Sequence, residues 1–395
     1  MSKHIQPNEN NCCGCRSCEN VCPKGAINVL PDKKGFLYPN IDKDSCIDCG
    51  LCVKACPIIK KEEAHSEFQQ KVYAVINGDK EVLKKSASGG AFSLLADEVL
   101  KNNGIVYGCT LTDDMQVVHI DVDNEEDLQK LRGSKYVQSD LKETYKEIGQ
   151  HLKDGRPVLF TGTPCQVDGL NFYLKAKNQS TEGLLTVDLL CHGVPSPKLW
   201  ADFVNYLEKT YKSKLTDFKF RTKIAGWENS IETATFENGK TIKNTNQVRS
   251  FLALFYQNVS LRPMCYSCRY NSYKRVSDIT IGDYWGIDKS HPEINDNKGL
   301  SVVLVNTGKG NWIFEKVLTN AKVLETKKED AIQQALERNP TAKRDVDKFW
   351  QEYHEKGFDF IIQKYGIRSK ASLIKVKIIT LLYKVRLLKF FKKFI

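Results

Sequence analysis

A chain of 395 residues has room for two or three domains and a sizeable core. With 41% hydrophobic and 27% charged residues it reads as soluble and globular, and no stretch approaches the ~18–20 uncharged apolar residues that span a bilayer. The net charge of +11 is uneven: +7 sits in residues 371–395, which hold no acid, so the remaining body at +4 does not require a nucleic-acid partner.

The first residues, MSKHIQPNENNCC, are polar and lack the apolar segment of a signal peptide. A cytoplasmic setting is therefore expected, in which the fourteen cysteines stay reduced and ligation is a better use for them than disulfides. Cys12, Cys15, Cys18 and Cys22 follow the spacing C-x2-C-x2-C-x3-C, with Pro23 behind them. Cys46, Cys49, Cys52 and Cys56 repeat it, with Pro57 behind them. In such a run three close cysteines hold one 4Fe-4S cluster and the fourth ligates the other. The predicted sets are Cys12, Cys15, Cys18 and Cys56, and Cys46, Cys49, Cys52 and Cys22. Zinc fits poorly, because its sites usually pair two separated cysteine couples in one tetrahedron. Cys13 lies outside the pattern and reads as a spare buried thiol. The intervening KGAINVLPDKKGFLYPNID reads as short strands with turns at Pro31-Asp32 and Gly35. Residues 1–62 are thus assigned to a bacterial-ferredoxin-like domain with two 4Fe-4S clusters.

Residues 60–70 are charged and polar, a linker or capping helix. KVYAVING has strand character. Ser86, Ser88, Gly89 and Gly90 then precede a helix carrying Phe92, Leu94, Leu95, Val99 and Leu100. A Ser/Gly loop opening a helix offers free amides to an anion, or is simply an N-cap with tight packing. Gly133, Ser134 and Lys135 follow a helical run, where Lys135 either meets a phosphate or trails a C-cap glycine. The buried run Val158, Leu159, Phe160 leads through Gly162-Thr163-Pro164 into a helix. A second strand ends at Cys191-His192-Gly193, with a helix after Pro195. Strand ends are where α/β sheets bind ligands, so Cys165 and Cys191 fall at positions suited to a site. Cys265 and Cys268 form a C-x2-C pair. The next strand carries Asp278, Gly282, Asp283 and Trp285, of which Asp283 and Trp285 either line a pocket or cap and fill a strand end. Cys109 reads as a core residue. No G-x-G-x-x-G follows a strand and no P-loop occurs.

The motifs SASGGAF, RGSKYVQSDL, FTGTPCQVDGL, LLCHGVPSPKLW, LRPMCYSCRY and DITIGDYWGI occur in an order that resembles the coenzyme F-420 hydrogenase/dehydrogenase beta-subunit family, over residues 1 to 310. The resemblance implies an α/β (α+β) catalytic domain behind the ferredoxin-like one. Residues 70–150 and 151–310 would form its two parts, 311–370 a helical extension and 371–395 a basic apolar C-terminal helix. It implies FAD or FMN as cofactor, with Ser88, Gly89, Gly90, Gly133, Ser134, Lys135, Gly162 and Thr163 at the flavin. It also implies a third 4Fe-4S cluster, expected on Cys165, Cys191, Cys265 and Cys268, with zinc or separate thiols as the alternative. His192 and Asp283 are the catalytic candidates; His192 donates a proton to substrate or flavin, or merely bonds a neighbouring loop.

The function implied is an iron–sulfur, flavin-dependent oxidoreductase acting on a small substrate, with cell-surface polysaccharide synthesis as its setting. The alternative is an electron-transfer subunit without its own substrate site. Expected partners are a redox donor such as ferredoxin or a partner subunit, and no nucleic acid. The tail ASLIKVKIITLLYKVRLLKFFKKFI reads as a helix on an anionic membrane face, or as one packed on the body.

Overall fold

The computed structural model describes residues 4–60, 67–366 and 370–385. The proposed linker at 61–66 and the last ten residues of the basic tail lie outside the described residues.

Thirteen strands occur among the described residues, in chain order β1 (Ile27–Pro31), β2 (Leu37–Ile41), β3 (Lys71–Asn77), β4 (Ile105–Leu111), β5 (Val117–Val122), β6 (Val158–Gly162), β7 (Leu184–Leu189), β8 (Leu215–Thr222), β9 (Ile231–Phe236), β10 (Thr241–Lys243), β11 (Ile279–Asp283), β12 (Ser301–Val305) and β13 (Ala321–Thr326). β1 and β2 form an antiparallel hairpin between the two cysteine runs. The Asp32 carboxylate closes its turn by accepting from the amides of Lys34 and Phe36.

The large sheet has eight strands in the order β13-β3-β12-β11-β7-β6-β4-β5. Its centre, β11-β7-β6-β4, is parallel, and the flanking pairs are antiparallel. β6 and β12 are buried at every position, as continuous apolar strands covered on both faces should be. Helices Ala91–Lys101, Glu125–Leu131 and Gly308–Val317 cover one face. Thr144–Lys153 and Pro164–Ala176 cover the other, and Val21 and Ala55 of the ferredoxin-like part are buried with them. The chain is therefore a mixed α/β domain on a central mixed sheet, with the small cysteine-rich domain seated on one face. A second, three-stranded sheet, β10-β9-β8, packs on helices Pro197–Tyr211 and Asn246–Tyr256 through an aromatic core including Trp200, Phe203, Phe220 and Phe251.

The stretch 311–370 is not wholly helical. β13 pairs with β3 and adds an edge strand, because Val323 and Leu324 have a partly buried strand to lean on. The described part of the tail, helix Lys370–Lys384, seats Ile379 with Leu382 and Tyr383 against Ala225 and Ile231. Its outer side leaves Ile374, Ile378, Leu381 and Val385 exposed. No described helix is long and apolar enough to cross a membrane.

The two domains approach closely at Gly169, in the middle of helix Pro164–Ala176. A Cβ there would stand 2.8 Å from the Cβ of Cys15 and 2.9 Å from the Tyr145 hydroxyl. Gly169→Ala is expected to destabilise the chain by about 1–3 kcal/mol and to loosen the ferredoxin-like domain. Denaturant unfolding, with bound iron measured in parallel, checks this.

Candidate functional site

The cysteines gather in two places. Cys22, Cys46, Cys49 and Cys52 line one cavity of about 380 Å³, with Pro23, Ile27, Ile41 and Ile47 around them. Cys49 and Ile47 are exposed, so this cavity faces solvent. Cys18 lies close to Cys12, Cys56 and Cys52; burial first, then their charges, pushes its thiol up. Cys15 neighbours Cys56 and Cys18. The fold thus brings Cys22 to the second run and Cys56 to the first, the crossed arrangement of a two-cluster ferredoxin. It follows from the short helices Ser17–Val21 and Leu51–Lys54, each of which carries its run's last cysteine toward the other run.

The second cavity, about 530 Å³, is lined by Cys13, Cys165, Cys191, Cys265 and Cys268, together with His192, Arg262 and Arg269. Cys165 stands in the first turn of helix Pro164–Ala176, started by a capping box in which the Thr163 amide donates to Gln166 Oε1 at 2.9 Å. Cys191 follows β7, and Cys265 lies in the short 3-10 helix Pro263–Ser267 that precedes Cys268. Burial raises the Cys191 thiol, with the charges of Cys265, Cys165 and Cys268 adding to it. Burial likewise pushes Cys265 up to about 12 and Cys268 to about 11. Soft sulfur donors set around one hollow suit an iron–sulfur cube. Among the described residues, no three His, Cys, Asp or Glu side chains are grouped to clasp a single ion.

Cys13, expected as a spare buried thiol beside the cluster, also reaches the second cavity. It is buried, lines the second cavity, and its sulfur interacts with Cys15 on one side and Cys165 on the other. It therefore connects the first ferredoxin set to the second cavity. No local signal pointed to this, since nothing in the spacing around Cys13 places Cys165 there. Cys109 is partly buried and packs against the aromatic core.

The other candidates lie along one edge of the large sheet. The pairing aligns the ends of β6, β7, β11 and β3 with the start of β12, so Gly162, Leu189, Asp283, Asn77 and Ser301 share that edge. The loop before helix Ala91–Lys101 is tied to it. Ser88 Oγ donates to Leu300 O at 2.7 Å, and the Gly89 amide to Ser301 Oγ at 2.9 Å. A Cβ on Gly89 would stand 2.1 Å from Val75 O, so this glycine is needed for sheet packing. Gly90 takes φ +82° as it caps the helix. Gly133 has open space beside it. Lys135 Nζ donates at 2.9 Å to the carbonyls of Lys130 and Arg132 and so closes the helix before it.

Asp283, expected as a catalytic group, forms a buried ion pair with Arg221, and its other oxygen accepts from Trp227 Nε1 at 2.9 Å. Both oxygens are engaged, which makes Asp283 a holder of Arg221. Above this pair Trp227 and Trp285 stack at 4.8 Å and 6°. Arg221 sits 5.6 Å from the Trp285 ring centroid, and Trp285 is exposed. Lys223 Nζ donates to Leu83 O and Ser88 O, and burial, then the charge of Arg221, pulls its ammonium down to about 8. Burial pushes the Tyr136 phenol up, opposed by the nearby Arg221. Arg221, Lys223 and Trp227 belong to the second sheet and the loop after it, and no motif pointed to them.

His192 links the two groups. Its Nε2 lies 2.6 Å from Asn258 Oδ1, and its ring meets Phe255 edge-on at 5.3 Å. Phe255 in turn lies 5.1 Å from Tyr136. The histidine thus bonds a neighbouring loop and still borders the cysteine cavity.

Similarity to known proteins follows the same division. Residues 11–58 match the 4Fe-4S dicluster domain, and residues 155–332 match the family described as the C terminus of the beta subunit of coenzyme F420 hydrogenase/dehydrogenase. The chain is similar to the coenzyme F420-dependent sulfite reductase of Methanocaldococcus jannaschii, with 24% identity over 78% of this chain and 46% of that protein. It thus spans less than half the length of that relative. It is also similar to a subunit of the F(420)H(2) dehydrogenase of Methanosarcina mazei, with 21% identity over 80% of this chain and 85% of that one. Among solved structures, a chain of the F420-reducing NiFe hydrogenase complex from Methanosarcina barkeri is 23% identical, covering 76% of this chain and 96% of its own, with a TM-score of 0.45. The chain thus has an N-terminal 4Fe-4S dicluster domain, which implies two such clusters, and a C-terminal part related to the beta subunits of coenzyme F420 hydrogenase/dehydrogenase.

Proposed function

We propose that the chain is an iron–sulfur, flavin-dependent oxidoreductase that passes electrons between a protein donor and a small two-electron substrate. The observation that carries this reading is the position of Cys13, buried beside Cys12 of the first set while lining the second cavity together with Cys165. It sets the first ferredoxin site directly against a second cysteine cavity at the ligand edge of the large sheet. A wire alone has no need of that second cavity. The solvent-facing cavity of Cys22, Cys46, Cys49 and Cys52, with exposed Ile47 at its rim, suits docking of the donor, either ferredoxin or a partner subunit.

Bound 4Fe-4S clusters exchange single electrons, and a flavin converts them to hydride transfer. The chain's own residues supply the rest. Cys165, Cys191, Cys265 and Cys268 are the proposed ligands of a third cluster. The Ser88–Gly90 loop, Gly133, Ser134, Lys135, Gly162 and Thr163 border the proposed flavin site. There Arg221 and Lys223 contribute positive charge and Trp285 an open aromatic face for a planar anionic ring. Coenzyme F420 is the substrate suggested by the relatives' names. Asp283 orients Arg221, and His192, fixed by Asn258, is placed to hold a proton beside the cysteine cavity.

The tail is the proposed membrane contact. Its outward stripe of Ile374, Ile378, Leu381 and Val385 is flanked by Lys375, Lys377 and Lys384, which suits an anionic lipid surface.

Three outcomes are expected. After anaerobic purification Cys268→Ala should lose about four of about twelve irons per chain; unchanged iron would remove the third cluster. Trp285→Ala should weaken flavin retention on gel filtration about tenfold or more while the fold holds, because the position is exposed; full retention would move the flavin elsewhere. Truncation after Lys370 should abolish cosedimentation with phosphatidylglycerol vesicles. If the intact chain does not sediment with them either, the membrane reading fails.

A further inference from the structure

Among the described residues, Arg221, Arg249, Arg262 and Arg275 have side chains with little exposure, and three of them have a carboxylate. Arg221 pairs with Asp283, Arg249 with Glu232 and Arg275 with Asp188. Arg262 is the exception. It is 0% exposed, and no described carboxylate lies within ion-pair distance of it. Its guanidinium donates only to neutral oxygens: Nε to Cys12 O at 2.7 Å, Nη1 to Gln138 Oε1 at 2.9 Å and Nη2 to Leu37 O at 3.0 Å. The rings of Tyr38 and Phe36 lie 4.2 Å and 5.4 Å away. Gln138 is fixed in turn, donating to Cys13 O at 3.1 Å.

The contact is built to be close. A Cβ on Gly14 would stand 2.8 Å from Arg262 Nη1 and 2.5 Å from Gln138 Nε2, and Gly14 holds φ +73°. The chain therefore makes room for a full positive charge against the loop carrying Cys12 and Cys15. On its other side Arg262 lines the cavity of Cys165, Cys191, Cys265 and Cys268. Burying a cation among neutral groups is costly unless a negative charge compensates it. The compensating charge that both neighbours can supply is the same: a 4Fe-4S cube on four thiolates is a net anion, and more negative by one when reduced.

We propose that Arg262 is the shared counter-cation of the cluster on Cys12, Cys15, Cys18 and Cys56 and of the cluster in the second cavity. This rests on the three-cluster reading above. A fixed cation favours the more negative, reduced form of each neighbour, so it raises both potentials together and keeps the two matched. Exchange between them moves one electron, with no bond made or broken and no proton taken up. The cavity of Cys22, Cys46, Cys49 and Cys52 is not lined by Arg262, and its occupant is the internal reference.

The test is a reductive titration of the anaerobically purified full chain, followed by electron paramagnetic resonance, with iron counted separately. Arg262→Met removes the charge and keeps most of the stem. It should lower two of three midpoints by about 59 mV each, a tenfold change in a one-electron equilibrium, and leave the third in place. Arg262→Lys should restore most of the shift. Should the methionine variant fail to fold, Gln138→Glu supplies the missing carboxylate against Nη1 and should shift the same two midpoints downward. Three unmoved midpoints, three midpoints moved alike, or a lysine variant as impaired as the methionine one would overturn the proposal. A wild-type count of about eight irons defeats the three-cluster reading and the sharing with it. About twelve irons with no shift defeats the role of Arg262 alone.

Discussion

The rest of the structure depends on the close seating of a small cysteine-rich domain on one helix of the large sheet. The Cys15 side chain rests directly against Gly169, where any larger residue would push it away. Around that point the domain is held by varied ties. Val21 and Ala55 are buried in the sheet's own core. Arg16 pairs with Asp140, Asn20 donates to Lys142 O at 2.8 Å, and the Ser196 hydroxyl donates to Lys34 O. Apolar burial supplies most of the attraction, while these directional bonds fix the angle. Electron exchange between sites needs short and constant separation, so a rigid polar-pinned interface suits this chain better than a flexible linker would. Cys165 is only four residues before Gly169, on the same helix, so the seating that fixes Cys15 also fixes the edge of the second cavity.

How much of this was legible in the sequence differs by length scale. The ferredoxin sets were readable because three of each four ligands fall within seven residues and the turn chemistry is local. The strand-loop-helix passages at Gly162-Thr163-Pro164 and Cys191-His192 were readable because buried apolar runs end at glycine, proline and capping residues. The role of Cys13 was not, since its meaning comes from Cys165, more than a hundred residues away. Arg221 and Lys223 lie on an ordinary alternating strand and the loop after it, and only the tertiary fold points them toward Ser88 and Trp285. Some candidate residues also carry structural duties. Of the two readings of the Gly89 loop, anion site or tight packing, the packing is visible, since β3 and β12 pass too close for a side chain. Lys135 suggested a phosphate ligand, yet it bonds the carbonyls of the helix before it. Asp283 reads as a catalytic candidate or a strand-end residue, and its two oxygens are held by Arg221 and Trp227.

Those last placements share an electrostatic logic. Along the ligand edge the acidic groups are neutralised by partners, while Lys223 bonds only carbonyl oxygens and Arg262 only neutral acceptors. Among the described residues, two cations without an ion pair thus stand beside the exposed tryptophan and between the cysteine sets. A low-dielectric surround makes each such charge act strongly on whatever negative charge is near it. Both places are suited to groups that gain negative charge on reduction, a planar two-electron carrier at one and iron–sulfur anions at the other. The same rule that pairs Arg275 with Asp188 in the sheet would have supplied carboxylates here had the sites been purely structural. Instead two cations stand unpaired where the proposed carriers would take up electrons, so one electrostatic rule covers the cysteine cavities and the strand-end cleft alike.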